Sequence, residues 1–234
     1  MVQNGMVESL RIYQLINSSR IGLKSKVLDI GTRNCALINQ FLIHGYTDLI
    51  AIDKANIDLY SCFYNYKIAK KQVIEKNEHF ILLDRENFKI NKRNIREDTL
   101  LHYNVELEEY YHSIQRISNC DFLTFQFKGR FNIILSSFVF HFIPPASDER
   151  IIEQLTTLAN EKCLLYMKVY NEVRLETASP EFQRDGLSLI KSGSTWYLFD
   201  DLRLNLYKSI FKVLLMNISG DITELLLDNS SPRH

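Results

Sequence analysis

Three aspartates stand where a nucleotide-like ligand would meet carboxylates. Asp29 is the penultimate residue of the strand-like run Lys26–Ile30 and opens an Asp-x-Gly turn with Gly31. Asp53 closes the next apolar run, Leu49–Ile52, and Asp121 follows a third strand-like run, Ser113–Ser118. A strand, a turn, a helix and a second strand ending in an acidic residue place that last carboxylate beyond the ends of parallel strands, where it can accept hydrogen bonds from ribose hydroxyls. The chemistry expected is recognition of a nucleoside-bearing cofactor. Each Asp also has a structural reading, because Asp at a strand end often caps the following helix.

The elements that would position these residues follow from hydrophobic periodicity. Met6–Asn17 reads as an amphipathic helix, Cys35–His44 as the helix after the turn with Gly45 as its stop, and Ile57–Lys71 as the helix after the second strand. Further on come a strand at Phe131–Ser136, a helix at Glu149–Ala159, a strand at Cys163–Val169 and a helix at Phe199–Ser209. Phe211–Ile218 and Ile222–Leu227 read as an antiparallel pair around Gly220-Asp221. Alternating strands and helices followed by a hairpin predict an α/β fold, a mostly parallel sheet with helices on both faces and a reversed strand at the end. A single domain is expected over residues 1–234, with 73–112 as a charged insertion carrying its own helix near Arg96–Tyr111.

Composition narrows the function classes. Lys+Arg and Asp+Glu balance at 28 each, so no net field draws the chain to nucleic acid or to an anionic membrane. The run Lys89–Arg96 is the one basic stretch where nucleic acid would bind, and it reads more simply as a solvated face. Hydrophobic residues make up 46% of the chain, enough for a substantial core, yet the most apolar window, Phe131–Pro145, is shorter than the roughly 20 residues a spanning helix requires. The four cysteines, Cys35, Cys62, Cys120 and Cys163, are too scattered for a closed zinc site and fit free thiols in a reducing compartment. No signal peptide is read at the N-terminus, and a cytoplasmic location is expected. A dinucleotide is disfavoured because Arg33 occupies the glycine position that close approach to a pyrophosphate needs.

Asp29-x-Gly31, Asp53, Asp121-Phe122, the run FNIILSSFVFHFIPP and the late hairpin, taken in this order, resemble the class I S-adenosylmethionine-dependent methyltransferases. RFNIILSSFVFHF and STWYLFDDLRLNLYKSIFKVLLMN look like that superfamily's small-molecule branch, nearest the tellurite-resistance type. The resemblance implies a Rossmann-like seven-stranded sheet, S-adenosylmethionine as cofactor and methyl transfer to a small-molecule acceptor. It implies that Asp53, with Lys54 beside it, meets the ribose. Asp29, Gly31, Thr32 and Arg33 would shape the turn under the methionine half, Asp121 and Phe122 would face the adenine, and Ser136 and Ser137 would line the floor between cofactor and acceptor. The Asn/Asp-Pro-Pro-aromatic signature of amino-group DNA methyltransferases is absent, since Ile143-Pro144-Pro145-Ala146 lacks both the amide and the aromatic residue.

This sequence departs from the family's D-x-G-x-G-x-G turn at Arg33 and Cys35, which carry a Cβ where the backbone usually runs close to the cofactor; Asn34 tolerates a positive φ. It also has Asn132 where the fourth strand usually opens with Asp. The competing expectation is a noncatalytic methyltransferase-like scaffold, with the 73–112 insertion as the surface for a protein partner. His141, a few residues past the fourth strand, is the candidate general base, because imidazole titrates in the useful range. Tyr170, Glu172 and Arg174 are candidate acceptor contacts. Tyr64, Tyr66, Tyr103, Tyr110 and Tyr111 either wall an acceptor site or form a satellite core, and Trp196 is expected to pack beside the fifth strand.

Overall fold

A computed structural model describes residues 22–76, 108–110, 112–114, 116–171, 183–185, 188–191 and 194–230. Seven strands form one sheet in the order β3-β2-β1-β4-β5-β10-β9. They are β1 (Val27–Ile30), β2 (Leu49–Asp53), β3 (Arg116–Asn119), β4 (Phe131–Ser137), β5 (Ala159–Tyr170), β9 (Lys212–Ser219) and β10 (Ile222–Asp228). The expected α/β sheet with a reversed terminal strand is therefore present. The chain divides into two compact units, Met1–Phe122 and Leu123–His234.

In the first unit, β2 pairs in parallel with β1 and with β3. Val27, Leu28, Ile30 and Leu49 through Ile52 are all buried, which is why these strands read as continuous apolar runs rather than alternating ones. Helix α1 (Ala36–Ile43) follows β1, and α2 (Leu59–Lys76) follows β2. The second helix runs past the expected Lys71, into the stretch assigned to the insertion. Residues 77–107 of that stretch lie outside the described residues, as does the basic run 89–96.

In the second unit, β4 and β5 are parallel, while β10 is antiparallel to both β5 and β9. Helix α3 (Asp148–Leu158) precedes β5, and α4 (Asp201–Ile210) leads directly into β9. Asp200 caps α4 by accepting from the Arg203 N–H at 2.8 Å. Strand β5 begins at Ala159, four residues before its expected start, because Ala159 pairs with Phe131 ahead of a register shift. Three short strands, β6 (Gln183–Asp185), β7 (Ser188–Lys191) and β8 (Ser194–Tyr197), form a separate antiparallel sheet that sequence reasoning did not anticipate.

Buried Arg203 organises this unit. Its Nε and Nη2 donate to the two carboxylate oxygens of Asp148 at 2.7 and 2.6 Å, Nη1 donates to the Tyr197 carbonyl, and its guanidinium lies over the Phe199 ring at 3.8 Å. Both partners are about 5% exposed, so the pair is stable only because nearly every donor is matched.

Candidate functional site

The turn after β1 is the centre of the first unit's chemistry. Gly31 and Thr32 donate their N–H groups to the Ile52 carbonyl at 2.7 and 3.1 Å, which locks the turn onto the end of β2. Gly31, Arg33 and Cys35 have φ of 70°, 45° and 58°. The family's three glycine positions thus all take the left-handed conformation here, two of them without glycine. Each such residue costs about 1–2 kcal/mol, so the surrounding contacts must hold the shape.

Those contacts come from α1 and α2. Asn65 Nδ2 donates to the Asn34 carbonyl at 3.0 Å, the Cys62 thiol points to the Arg33 carbonyl at 3.8 Å, and Asn39 Nδ2 donates to the Cys62 carbonyl at 2.9 Å. Tyr110 Oη donates to Asn39 Oδ1 at 2.7 Å and its ring packs on Phe63 and Tyr66. Tyr110 is therefore core, whereas Tyr103 and Tyr111 lie outside the described residues. Cys35 is fully buried, with its thiol against the Cys62 thiol and the Tyr110 hydroxyl, so its side chain is part of the packing beneath the turn. Sequence reasoning missed Asn39, Cys62 and Asn65. The only local signal was polar residues on otherwise apolar helical faces.

Asp53 sits at the end of β2, half-buried. Its Oδ2 accepts from the Arg33 N–H and its Oδ1 from the Ala55 N–H, both at 2.8 Å. Two backbone donors fix the carboxylate, and each oxygen retains a lone pair for a further donor such as a ribose hydroxyl. Asp29 differs: it is 3% exposed and accepts from Thr32 Oγ1 at 2.7 Å. Burial raises its carboxyl from an ordinary 3.8 to about 7, against the lowering effect of the Thr32 bond. Asp121 pairs with Lys54 at 3.1 Å across an exposed surface, and Phe122 is buried at the start of a 3-10 turn. Asp29, Gly31, Thr32, Arg33 and Asp53 are thus linked by hydrogen bonds through the turn and the end of β2, and Lys54 and Asp121 by their ion pair.

The remaining candidates belong to the second unit. Ser136 is buried with no hydrogen-bond partner for its Oγ, and Ser137 is half-buried. His141 lies in the 3-10 turn Phe140–Phe142, 1% exposed. Burial, reinforced by the Arg203 charge, lowers its imidazole to about 3. It is neutral at physiological pH, able to accept a hydrogen bond but a weak proton acceptor. Tyr170 ends β5 and stacks on Trp196, while Glu172 and Arg174 lie outside the described residues. Among the described residues no group of His, Cys, Asp or Glu could hold a metal, and no helix is long and apolar enough to cross a membrane.

No family model matches the sequence, and no curated protein matches it. Solved structures do. The 1,6-didemethyltoxoflavin-N1-methyltransferase of Burkholderia thailandensis, solved with 1,6-didemethyltoxoflavin and S-adenosylhomocysteine, aligns with a TM-score of 0.57 at 11% identity over 94% of this chain and 77% of its own. An S-adenosylmethionine-dependent methyltransferase of Clostridium acetobutylicum gives 0.60 at 10% identity over 94% and 89%. TehB of Haemophilus influenzae gives 0.53 at 12% identity over 92% and 61%. At these identities the likeness is one of architecture, and it agrees with the strand order and the turn geometry: the chain has the fold of the class I S-adenosylmethionine-dependent methyltransferases.

Proposed function

We propose that this protein binds S-adenosylmethionine and transfers its methyl group to a small-molecule acceptor. The observation that carries the reading is the pairing of a left-handed turn at Gly31, Arg33 and Cys35 with an Asp53 carboxylate held by two backbone N–H groups. That arrangement suits the ribose and methionine portions of the cofactor, which makes no demand for a pyrophosphate cradle. Structural neighbours solved with S-adenosylhomocysteine support it.

When bound, the cofactor supplies an electrophilic methyl on a sulfonium. The chain's own work is binding, orientation and exclusion of water, and positioning alone contributes up to roughly 7–11 kcal/mol in ideal cases. Asp53 accepts the ribose hydroxyls, the turn supports the methionine half, and Asp121 and Phe122 face the adenine. The neutral imidazole of His141 is assigned hydrogen-bond acceptance rather than proton removal, which suits acceptors that are nucleophilic without a strong base. The scaffold alternative rested on Cβ atoms obstructing the turn and on the charged 73–112 insertion, most of which lies outside the described residues. The first of these loses ground because the Cys35 thiol is packed inward.

Calorimetric titration with S-adenosylmethionine and S-adenosylhomocysteine, with NAD as control, tests the reading. Micromolar binding is expected, with Asp53→Ala at least about tenfold weaker, or 1.4 kcal/mol, while its circular dichroism stays native. Absence of heat at millimolar cofactor, or an unchanged affinity in the variant, defeats the assignment.

A further inference from the structure

The second unit gathers five aromatic or imidazole rings just past the carboxyl ends of β4 and β5. Phe138 stacks on Tyr170 at 4.7 Å, and Tyr170 stacks on Trp196 of β8 at 5.2 Å. His141 meets Phe138, Tyr170 and Trp196 at 6.1, 5.1 and 5.2 Å and Phe142 at 4.1 Å. A purely structural cluster would be buried and polar-satisfied. This one is neither. Phe142 is 49% exposed, and Phe138, Tyr170 and Trp196 are half-buried. His141 itself is 1% exposed, and its Nδ1 has no hydrogen-bond partner.

Two further features mark the cluster as built for a ligand. Phe138 has φ of 58°, a strained conformation for an aromatic residue, and the β5 backbone holds it there through its N–H bond to the Lys168 carbonyl at 2.8 Å. Aromatic residues with one buried, unsatisfied polar atom among them form the usual chemistry of small-molecule recognition: apolar faces for contact area and one polar point for orientation. Leaving that atom unpaired inside the protein is costly, and a donor on a ligand removes the cost.

We propose that this cluster recognises a planar aromatic or heteroaromatic acceptor bearing an N–H or O–H group, its ring lying against Phe138, Phe142, Tyr170 and Trp196 and its donor directed at Nδ1 of His141. The inference rests on the methyl-transfer reading for its meaning, but not for its test. The unexpected three-stranded sheet acquires a role here, since β8 delivers Trp196 to the cluster. Two other ring-binding chemistries are disfavoured. A saturated acceptor would forgo stacking, and a quaternary ammonium would offer the imidazole no donor.

Trp196 is the only tryptophan in the chain, so its fluorescence reports on this cluster alone. The full-length protein is titrated with catechol, hypoxanthine and 2-hydroxypteridine, and with cyclohexanediol and choline as contrasts. Saturable quenching by one or more of the aromatic probes, with none by the contrasts, is the expected result. His141→Phe should weaken it at least tenfold. Phe142→Ala, on the exposed rim where folding is not at risk, should weaken it severalfold. No quenching by any aromatic probe at millimolar concentration, equal quenching by cyclohexanediol, quenching by choline alone, or quenching that both variants leave unchanged would overturn the proposal. Calorimetry with S-adenosylmethionine on the same samples separates the two readings. Cofactor binding without aromatic quenching removes this inference and spares methyl transfer, and quenching without cofactor binding does the reverse.

Discussion

Replacing Asp29 with Asn should make the protein more stable at pH 8 and leave it nearly unchanged at pH 4. Asp29 is 3% exposed, its carboxyl accepts from the Thr32 hydroxyl and from the Ile38 backbone N–H, and burial outweighs both bonds to lift it to about 7. The unfolded carboxyl titrates near 3.8. Between those values the folded chain holds a proton that the unfolded chain has released, so stability falls as pH rises through the window and is level on either side. The interval corresponds to a loss of about 4 kcal/mol by pH 8. Asparagine keeps an oxygen to accept the Thr32 hydroxyl and carries no charge, so it lacks this slope. For a chain of this length the gain at pH 8 amounts to a melting temperature higher by on the order of 10 °C. Thermal and urea unfolding of both proteins at pH 5, 6.5 and 8 would show two curves diverging with pH. Parallel curves, or a variant less stable at pH 8, would mean that Asp29 is ionised and favourably paired in the fold, and the argument from burial would be wrong.

The other consequences are smaller or simpler. Arg33→Gly relieves a left-handed arginine costing about 1–2 kcal/mol, offset in part by the freer unfolded chain. A net gain of roughly 0.5–1 kcal/mol in urea unfolding is expected, and a loss would show that the guanidinium itself supports the turn. Arg203→Met leaves Asp148 buried without its cation and should cost about 3–5 kcal/mol. Adding Asp148→Asn should recover part of that loss, and a single-variant cost under about 1 kcal/mol would show the pair to be solvated.

The order of elements around the candidate site was legible because it is written locally. Continuous apolar runs at Val27–Ile30 and Leu49–Ile52 mark strands buried on both faces, Asp-x-Gly marks the turn between strand and helix, and Gly220-Asp221 marks the hairpin. Asp53 was legible for the same reason, as the acidic residue that ends a buried run. Chain polarity and hydrophobic period suffice for such features.

What tertiary structure alone decided is which side chains meet across long stretches of chain. Arg33 and Cys35 break the glycine pattern, yet the backbone there is glycine-like because Asn65 and Cys62, about 30 residues away, hold its carbonyls. His141 has the spacing of a general base, but the fold withdraws it from water beside Arg203 and lowers its affinity for a proton. Trp196 was expected beside the fifth strand and does stack on Tyr170 at its end, but nothing local marked its approach to His141, since the short strands that carry it are interrupted by glycine and serine. Local pattern determined the strands and the turn. Desolvation, backbone strain and ring stacking depend on partners distant in sequence, and only the folded chain brings those together.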